Sequence, residues 1–322
     1  MRKNEQGGSQ QERITLPNCP ACGENRRTKL SIPGHWVDYE ILSGDWGLEK
    51  CRSCGLVFTN PRPSETLLMA FYSSGKYYPH QTDGQSSTAI RFLISRIEHY
   101  CGGTAGIRDK TLLDFGCGGG SLLKHAAERG WRTMGYDIAP TAIDACRSSG
   151  IDVTNDLNVL PKDFDVILCS HSLEHVTDFD RILPVFAGLI KRDTGRLFIA
   201  VPNAESLRAR LSPPWMTKYA GANERYHAFP IHLSHFTRHS LIALLKRYGF
   251  EEITTETYGF GLDSYFRAAD DEKPGEQEKA ATQNEGSIPP QKCGALKQWI
   301  QQTFMSLGLG ENLLGVFRLP GK

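Results

Sequence analysis

The chain has 322 residues, 39% of them hydrophobic, and a formal net charge of +1. This length suits one large domain plus a small one. The near-neutral balance excludes a strong basic field for nucleic acid or an anionic membrane, and no apolar run is long enough to span a bilayer.

Met1 to Gln11 is polar and rich in Gly and Gln, without the apolar core of a signal peptide, so residues 1–14 read as a disordered leader on a cytoplasmic protein. In a reducing compartment the nine cysteines read as metal ligands, small core residues or reactive thiols, not as disulfides. Four of them form two Gly-flanked pairs, Cys19-Pro-Ala-Cys22-Gly23 and Cys51-Arg-Ser-Cys54-Gly55. Each Cys-x-x-Cys turn presents two thiolates to one side of a tetrahedron, and two such turns close it, which predicts a structural zinc ion in a module over residues 15–62. Trp36, Tyr39 and Trp46 lie between the pairs and read as a small local core, with a face toward a substrate as the alternative.

Leu56-Val-Phe-Thr-Asn-Pro-Arg-Pro63 predicts a short strand with a proline-fixed exit. Ser64 then caps a helix through Leu67, Leu68 and Phe71. A polar linker and a helix over Ala89–Tyr100 complete a linking stretch, residues 63–109.

From Lys110 onward strands and helices alternate, the pattern of a parallel sheet covered on both faces. A buried strand, Thr111–Phe115, runs into Gly116-Cys-Gly-Gly-Gly120, and a helix starts near Ser121. Ser121 breaks the dinucleotide fingerprint G-x-G-x-x-G. The spacing is instead Asp-x-Gly-x-Gly-x-Gly from Asp114, and a carboxylate before the loop suits a cationic amino group better than a pyrophosphate. Asp137 ends the next strand, Arg132–Asp137, about twenty positions on, where a carboxylate can accept from both ribose hydroxyls. Further strands are predicted at Ile151–Val153, Phe164–Ser170, Gly195–Val201, Glu252–Tyr258 and Asn312–Leu319, with helices at Asp178–Ile190 and Arg238–Tyr248. Asp156 and Leu157 follow the third strand.

Leu112–Gly120, Gly135–Asp137 and Phe164–Val176 resemble the successive motifs of class I S-adenosylmethionine (SAM)-dependent methyltransferases, over roughly Lys110 to Phe250. With the cysteine pairs and Cys54-Gly-Leu-Val-Phe-Thr-Asn-Pro-Arg-Pro63, the chain resembles the subgroup with an N-terminal zinc ribbon. The resemblance implies an α/β, Rossmann-like, seven-stranded sheet with its last strand antiparallel. It also implies SAM across the sheet edge: Asp114, Gly116, Gly118 and Gly120 at the methionine end, Asp137 and Ile138 at the ribose, Asp156 and Leu157 at the adenine, and Ser170 and His171 beside the methyl group.

His171-Ser-Leu-Glu174-His175 spells the metalloprotease pattern H-x-x-E-H, but that chemistry needs one helix face, and His171 ends a predicted strand. A second cluster, Tyr226-His227 through His232-Leu-Ser-His235-Phe-Thr237, precedes the last long helix and is expected to overhang the ligand edge. His232, His175 and His235 are the candidate acid/base residues. His232 resembles the base of zinc-bearing sugar C-methyltransferases, although Phe229-Pro-Ile231 stands where those have Tyr-x-Glu. Trp215, Tyr219 and Tyr226 are candidates for an acceptor pocket.

The SAM-binding domain is expected over residues 110–266, a disordered Glu/Lys/Gln/Pro-rich insertion over 267–292, and a C-terminal helix and last strand over 293–322. Gly294–Leu307 would dock on the core or form a homodimer interface. The leading expectation is O- or C-methylation of a small or sugar-like acceptor with histidine as base. The alternatives are an RNA-contacting nucleic-acid methyltransferase and a non-catalytic SAM-binding regulator.

Overall fold

The computed structural model describes residues 13–30, 42, 45–74, 87–211, 229–259 and 295–321. Trp36, Tyr39, Trp215, Tyr219 and Tyr226 lie outside them, as do residues 1–12 of the expected leader and the whole 267–292 insertion.

The N-terminal module is an antiparallel ribbon. β1 (Arg13–Ile14) pairs with β5 (Arg62–Pro63), so the last two residues assigned to the leader are a strand. β2 (Arg27–Leu30), β3 (Leu48–Cys51) and β4 (Val57–Thr59) form the rest, with Arg27 opposite Cys51 and Lys50 opposite Val57. Asn60 joins the two pieces: its amide bonds the Leu16 backbone in both directions and donates to Glu49 at 2.9 Å. Ser64 then caps α1 (Glu65–Ser73) by accepting from the Leu67 amide, as the sequence predicts. α1 buries Leu67, Leu68, Phe71 and Tyr72 against Ile231 and Leu233.

α2 (Ser87–Tyr100) leads into the main sheet. Its strands are β6 (Thr111–Phe115), β7 (Arg132–Tyr136), β8 (Val153–Thr154), β9 (Val166–Ser170), β10 (Arg196–Pro202), β12 (Glu251–Tyr258) and β13 (Asn312–Arg318). Their order is β12-β13-β10-β9-β6-β7-β8, and β13 runs antiparallel to both neighbours. The predicted third strand starts two residues late. Ile151 donates its amide to Cys146 to close α4 (Pro140–Ser148) and is not free to pair.

β6, β9 and β10 are apolar and buried on both faces, as a parallel sheet between helix layers requires. One face packs Leu113, Ile167 and Ile199 on Phe186 of α5 (Phe179–Leu189) and Leu241 of α7 (Arg238–Arg247). The other packs Leu112, Leu168 and Phe198 on Ile94 and Ile97 of α2 and Leu123 of α3 (Ser121–Glu128). A short helix, α6 (Leu207–Leu211), follows β10, and α8 (Ala295–Ser306) precedes β13. No helix among the described residues is long and apolar enough to cross a membrane.

The histidine segment is also part of the ribbon. Ser234–His235 forms β11 and pairs antiparallel with β4, extending the ribbon by a fourth strand. Thr59 donates its amide to Leu233 O at 2.9 Å and its hydroxyl to His232 O at 3.2 Å. An open strand edge carries unpaired amides and carbonyls, and this segment satisfies those of β4. Arg247 of α7 also donates to the carbonyls of Pro20 and Ala21 in the first cysteine turn. Ribbon and sheet therefore share one core, in which Cys19, Cys51 and Phe58 pack with Phe179, Phe236 and Leu241.

Candidate active site

Strands β6, β7 and β8 run to one side of the sheet and β9 and β10 to the other, so the topology switches between β6 and β9. A cleft opens there, at the carboxyl ends of the strands, where parallel sheets bind ligands. Phe115, Gly116, Gly118, Asp137, Ile138, His171 and His175 line it, and Leu68, Met69 and Tyr72 of α1 complete it.

The loop after β6 turns through left-handed glycines, Gly116 (φ 80°), Gly118 (φ 53°) and Gly120 (φ 78°). A Cβ on Gly116 would stand 2.0 Å from the Ser172 hydroxyl oxygen, and one on Gly120 would stand 2.4 Å from Ile151. Asp137 clamps this loop to β7. One carboxylate oxygen accepts from the Gly118 amide and the other from the Ala139 amide, both at 2.9 Å.

Asp114 lies at the base of the cleft, 4% exposed, and its Oδ1 has no hydrogen-bond partner among the described residues. Burial, with Asp137 nearby, pushes its carboxyl up to about 7. A buried carboxylate oxygen without a partner is a strong acceptor awaiting a cation or a donor. Asp114, Asp137 and the glycine cradle fit the ammonium and ribose of SAM, whose sulfonium would supply the transferable methyl.

Ser170 is buried at the end of β9. His171 follows it with a strained φ of 51° and a half-exposed side chain in the cleft wall. Asp156 and Leu157 stand apart from the cleft lining: Asp156 caps a short turn, accepting from the Asn158 amide at 2.9 Å.

The three candidate histidines occupy different depths. His175 lies in the cleft wall. Its Nδ1 is 3.2 Å from the Ile231 carbonyl and 3.1 Å from the Tyr72 hydroxyl. A carbonyl can only accept, so a neutral imidazole bonded to Ile231 would carry its hydrogen on Nδ1. His232 sits behind it, 7% exposed, with ring centroids 4.7 Å apart and nearly perpendicular. His235 is deeper still, on β11.

Tyr72 and Ile231 contact His175, and the sequence singles out neither. Tyr72 carries a faint signal, following Phe71 on the buried side of a predicted helix. Ile231 acts through its backbone carbonyl, and no sequence pattern marks that.

At the ribbon, the sulfurs of Cys19 and Cys54 are 3.6 Å apart, as are those of Cys22 and Cys51, and all four lie within 4.8 Å of one another. Tetrahedral zinc with ~2.3 Å bonds needs sulfur separations of about 3.8 Å. The Cys54 thiol hydrogen-bonds to the Cys19 sulfur and holds it toward the thiolate. The four cysteines suit a closed, structural zinc site.

Ubiquinone biosynthesis O-methyltransferases are among the curated relatives. That of Yersinia enterocolitica is 28% identical over 151 residues, covering 44% of this chain and 60% of the relative. That of Xylella fastidiosa is 32% identical over 158 residues, covering 46% and 62%. The chain thus spans less than two thirds of these relatives. Among solved structures, a SAM-dependent methyltransferase from Archaeoglobus fulgidus aligns over 76% of this chain and 99% of its own, at 20% identity and a TM-score of 0.47. A Burkholderia thailandensis 1,6-didemethyltoxoflavin-N1-methyltransferase, solved with S-adenosylhomocysteine, aligns over 89% and 99% at 16% identity and a TM-score of 0.48. A family model described as a methyltransferase domain matches residues 87–255, more than half of the chain, and the protein belongs to that family as a class I SAM-dependent methyltransferase.

Proposed function

We propose that this enzyme methylates a hydroxyl oxygen of a small molecule, with His175 as the general base. The observation that carries the reading is His175 itself: an imidazole in the cleft wall, held through Nδ1 by the Ile231 carbonyl. The O-methyltransferase relatives supply the reaction type, and the near-neutral charge suits a small acceptor better than a nucleic acid.

In this reading Asp114 takes the ammonium of SAM and Asp137 takes the ribose. Gly120 shapes the loop, and Ile138 packs on the adenosine, with Asp156 and Leu157 at its outer end. Ser170 and His171 border the methyl group. When bound, SAM would supply an electrophilic methyl group on its sulfonium sulfur, with S-adenosylhomocysteine as the leaving group. His175 Nε2 takes the acceptor's hydroxyl proton as its oxygen meets the methyl carbon. Tyr72 and Ile231 hold the imidazole in line, and positioning of this kind accounts for much of the barrier reduction. His232 and His235 support His175 from behind. The cysteine ribbon, with zinc in place, holds the segment bearing Ile231 and His232.

His175→Ala is expected to lower kcat about 100-fold or more while SAM affinity stays within a factor of about three. An acceptor panel of phenols and sugars, followed by S-adenosylhomocysteine release, measures it. Undiminished turnover in the variant would remove His175 from the chemistry.

Asp114 adds a pH dependence. Its carboxyl titrates at about 7 in the ligand-free protein but must be ionised to hold an ammonium. SAM affinity is therefore expected to fall as pH drops through about 7, approaching tenfold per unit below it. The sign for stability is opposite to that of a paired aspartate. The folded state binds the extra proton between about 4 and about 7, so the ligand-free protein loses stability as pH rises through that window. Calorimetric titration from pH 6 to 8.5 reads the affinity, and a flat profile would contradict the assignment.

A further inference from the structure

Glu174 is 1% exposed, and neither carboxylate oxygen has a hydrogen-bond partner among the described residues. Leaving an ionised carboxylate in that state is costly unless a positive charge stands beside it. Imidazoles face it from two segments. A ring nitrogen each from His175 and His232 lies within 4.8 Å of a carboxylate oxygen and of the other, and His171 Nδ1 is 3.6 Å away. The two segments are also tied through the backbone, since Leu233 donates its amide to Glu174 O at 2.8 Å.

Among the described residues, the remaining titratable groups around the cluster do not offer a cation. Tyr258 of β12 and Cys169 of β9 both feel the Glu174 charge, and burial holds each further toward its neutral form. Tyr72 faces His175 from α1 as a hydroxyl, and His235 lies beyond His232, with ring centroids 6.3 Å apart.

We propose that Glu174 is the positioning carboxylate of the methyl-transfer site, a buried anion that orients His175 and His232 and stabilises the positive charge His175 acquires with the acceptor's proton. This rests on His175 being the base. It assigns a function to the Glu174-His175 pair of the H-x-x-E-H pattern without a metal. The proton balance is simple: the acceptor's O–H bond breaks, an N–H bond forms on His175, and the imidazolium returns the proton to solvent after product leaves. Glu174 faces the imidazolium through that interval and stays buried.

The test is the pH profile of kcat/KM for wild type, Glu174→Gln, Glu174→Asp and His175→Gln, with SAM affinity and metal content measured on each. Removing the anion makes His175 a weaker base that is freed of its proton at lower pH. Glu174→Gln is therefore expected to lose about 30-fold in kcat and to move the acid limb about one unit lower, with SAM affinity within about twofold. Glu174→Asp keeps the charge and is expected to recover part of the rate and most of the limb position. A rate loss in Glu174→Gln with the limb unmoved would reduce Glu174 to a packing role. If Glu174→Gln does not fold, an acid limb in Glu174→Asp that moves as far as that of a charge deletion would overturn the proposal. A metal equivalent beyond the ribbon zinc, present in wild type and lost in Glu174→Gln, would make the cluster a cation site and overturn it too. His175→Gln separates the two readings: if it keeps the wild-type limb and rate, the base assignment fails, whereas an unmoved limb in Glu174→Gln alone leaves that assignment standing.

Discussion

Asp137→Ala is expected to weaken SAM binding about 100-fold or more. The Asp137 carboxylate has two tasks. It accepts from the Gly118 and Ala139 amides, so it shapes the glycine loop, and it lines the cleft where a ribose would lie. Hydrogen bonds to a charged group contribute about 1.5–3 kcal/mol each, so losing two ribose bonds corresponds to about 3 kcal/mol or more. The variant also leaves two loop amides without an acceptor, which is expected to lower its unfolding free energy by roughly 2 kcal/mol. Asp137→Asn should fall between, because one side-chain oxygen can serve one amide while the new NH2 group opposes the other. Calorimetric titration with SAM and S-adenosylhomocysteine, together with thermal unfolding, measures both effects. Wild-type affinity in a folded Asp137→Ala protein would place the cofactor elsewhere.

Breaking the cysteine cluster is expected to abolish methyl transfer and largely spare cofactor binding. In Cys51→Ser the fourth ligand is lost, and a structural zinc site contributes on the order of 10 kcal/mol to the fold it closes. The ribbon does not end at its own sequence. Its strand β4 holds β11, Thr59 bonds both Leu233 and His232, and Arg247 ties α7 to the first cysteine turn. Loosening it releases the segment that supplies the Ile231 carbonyl to His175. A displacement of about 1 Å at a catalytic group costs on the order of 100-fold. The glycine loop, Asp114 and Asp137 belong to the sheet, so SAM affinity should change by less than about threefold. Zinc content, SAM titration and turnover on the same preparation test this. Full turnover in a zinc-free protein would show that the ribbon does not position the site.

Much of this molecule was legible from its residues because the relevant signals are local. Thr111-Leu-Leu-Asp-Phe115 followed by a run of glycines reads as a buried strand entering a tight turn, and the structure has β6 and left-handed Gly116, Gly118 and Gly120 there. The Cys-x-x-Cys-Gly turns, the Ser64 cap and the Thr237 capping box are likewise settled within a few residues of themselves. Seven strands were placed to within two residues, and the small departure at β8 arose where helix closure competed for the Ile151 amide.

Tertiary structure alone decided the relations between distant segments. Nothing in His232-Leu-Ser-His235 says that it completes a ribbon begun near Cys51, because an edge strand is chosen by whichever partner offers unpaired amides in three dimensions. The order of the three histidines from cleft to core follows from the same pairing, which turns His232 and His235 inward and leaves His175 in the cleft wall. Glu174 reads in sequence as half of a metal motif. Only the packed protein surrounds it with imidazoles from two segments, because burial and electrostatics depend on what lies across space. Backbone sterics and ligand spacing set the strand and helix types, the glycine loop and the cysteine cluster locally. The fold then decided which of those parts meet.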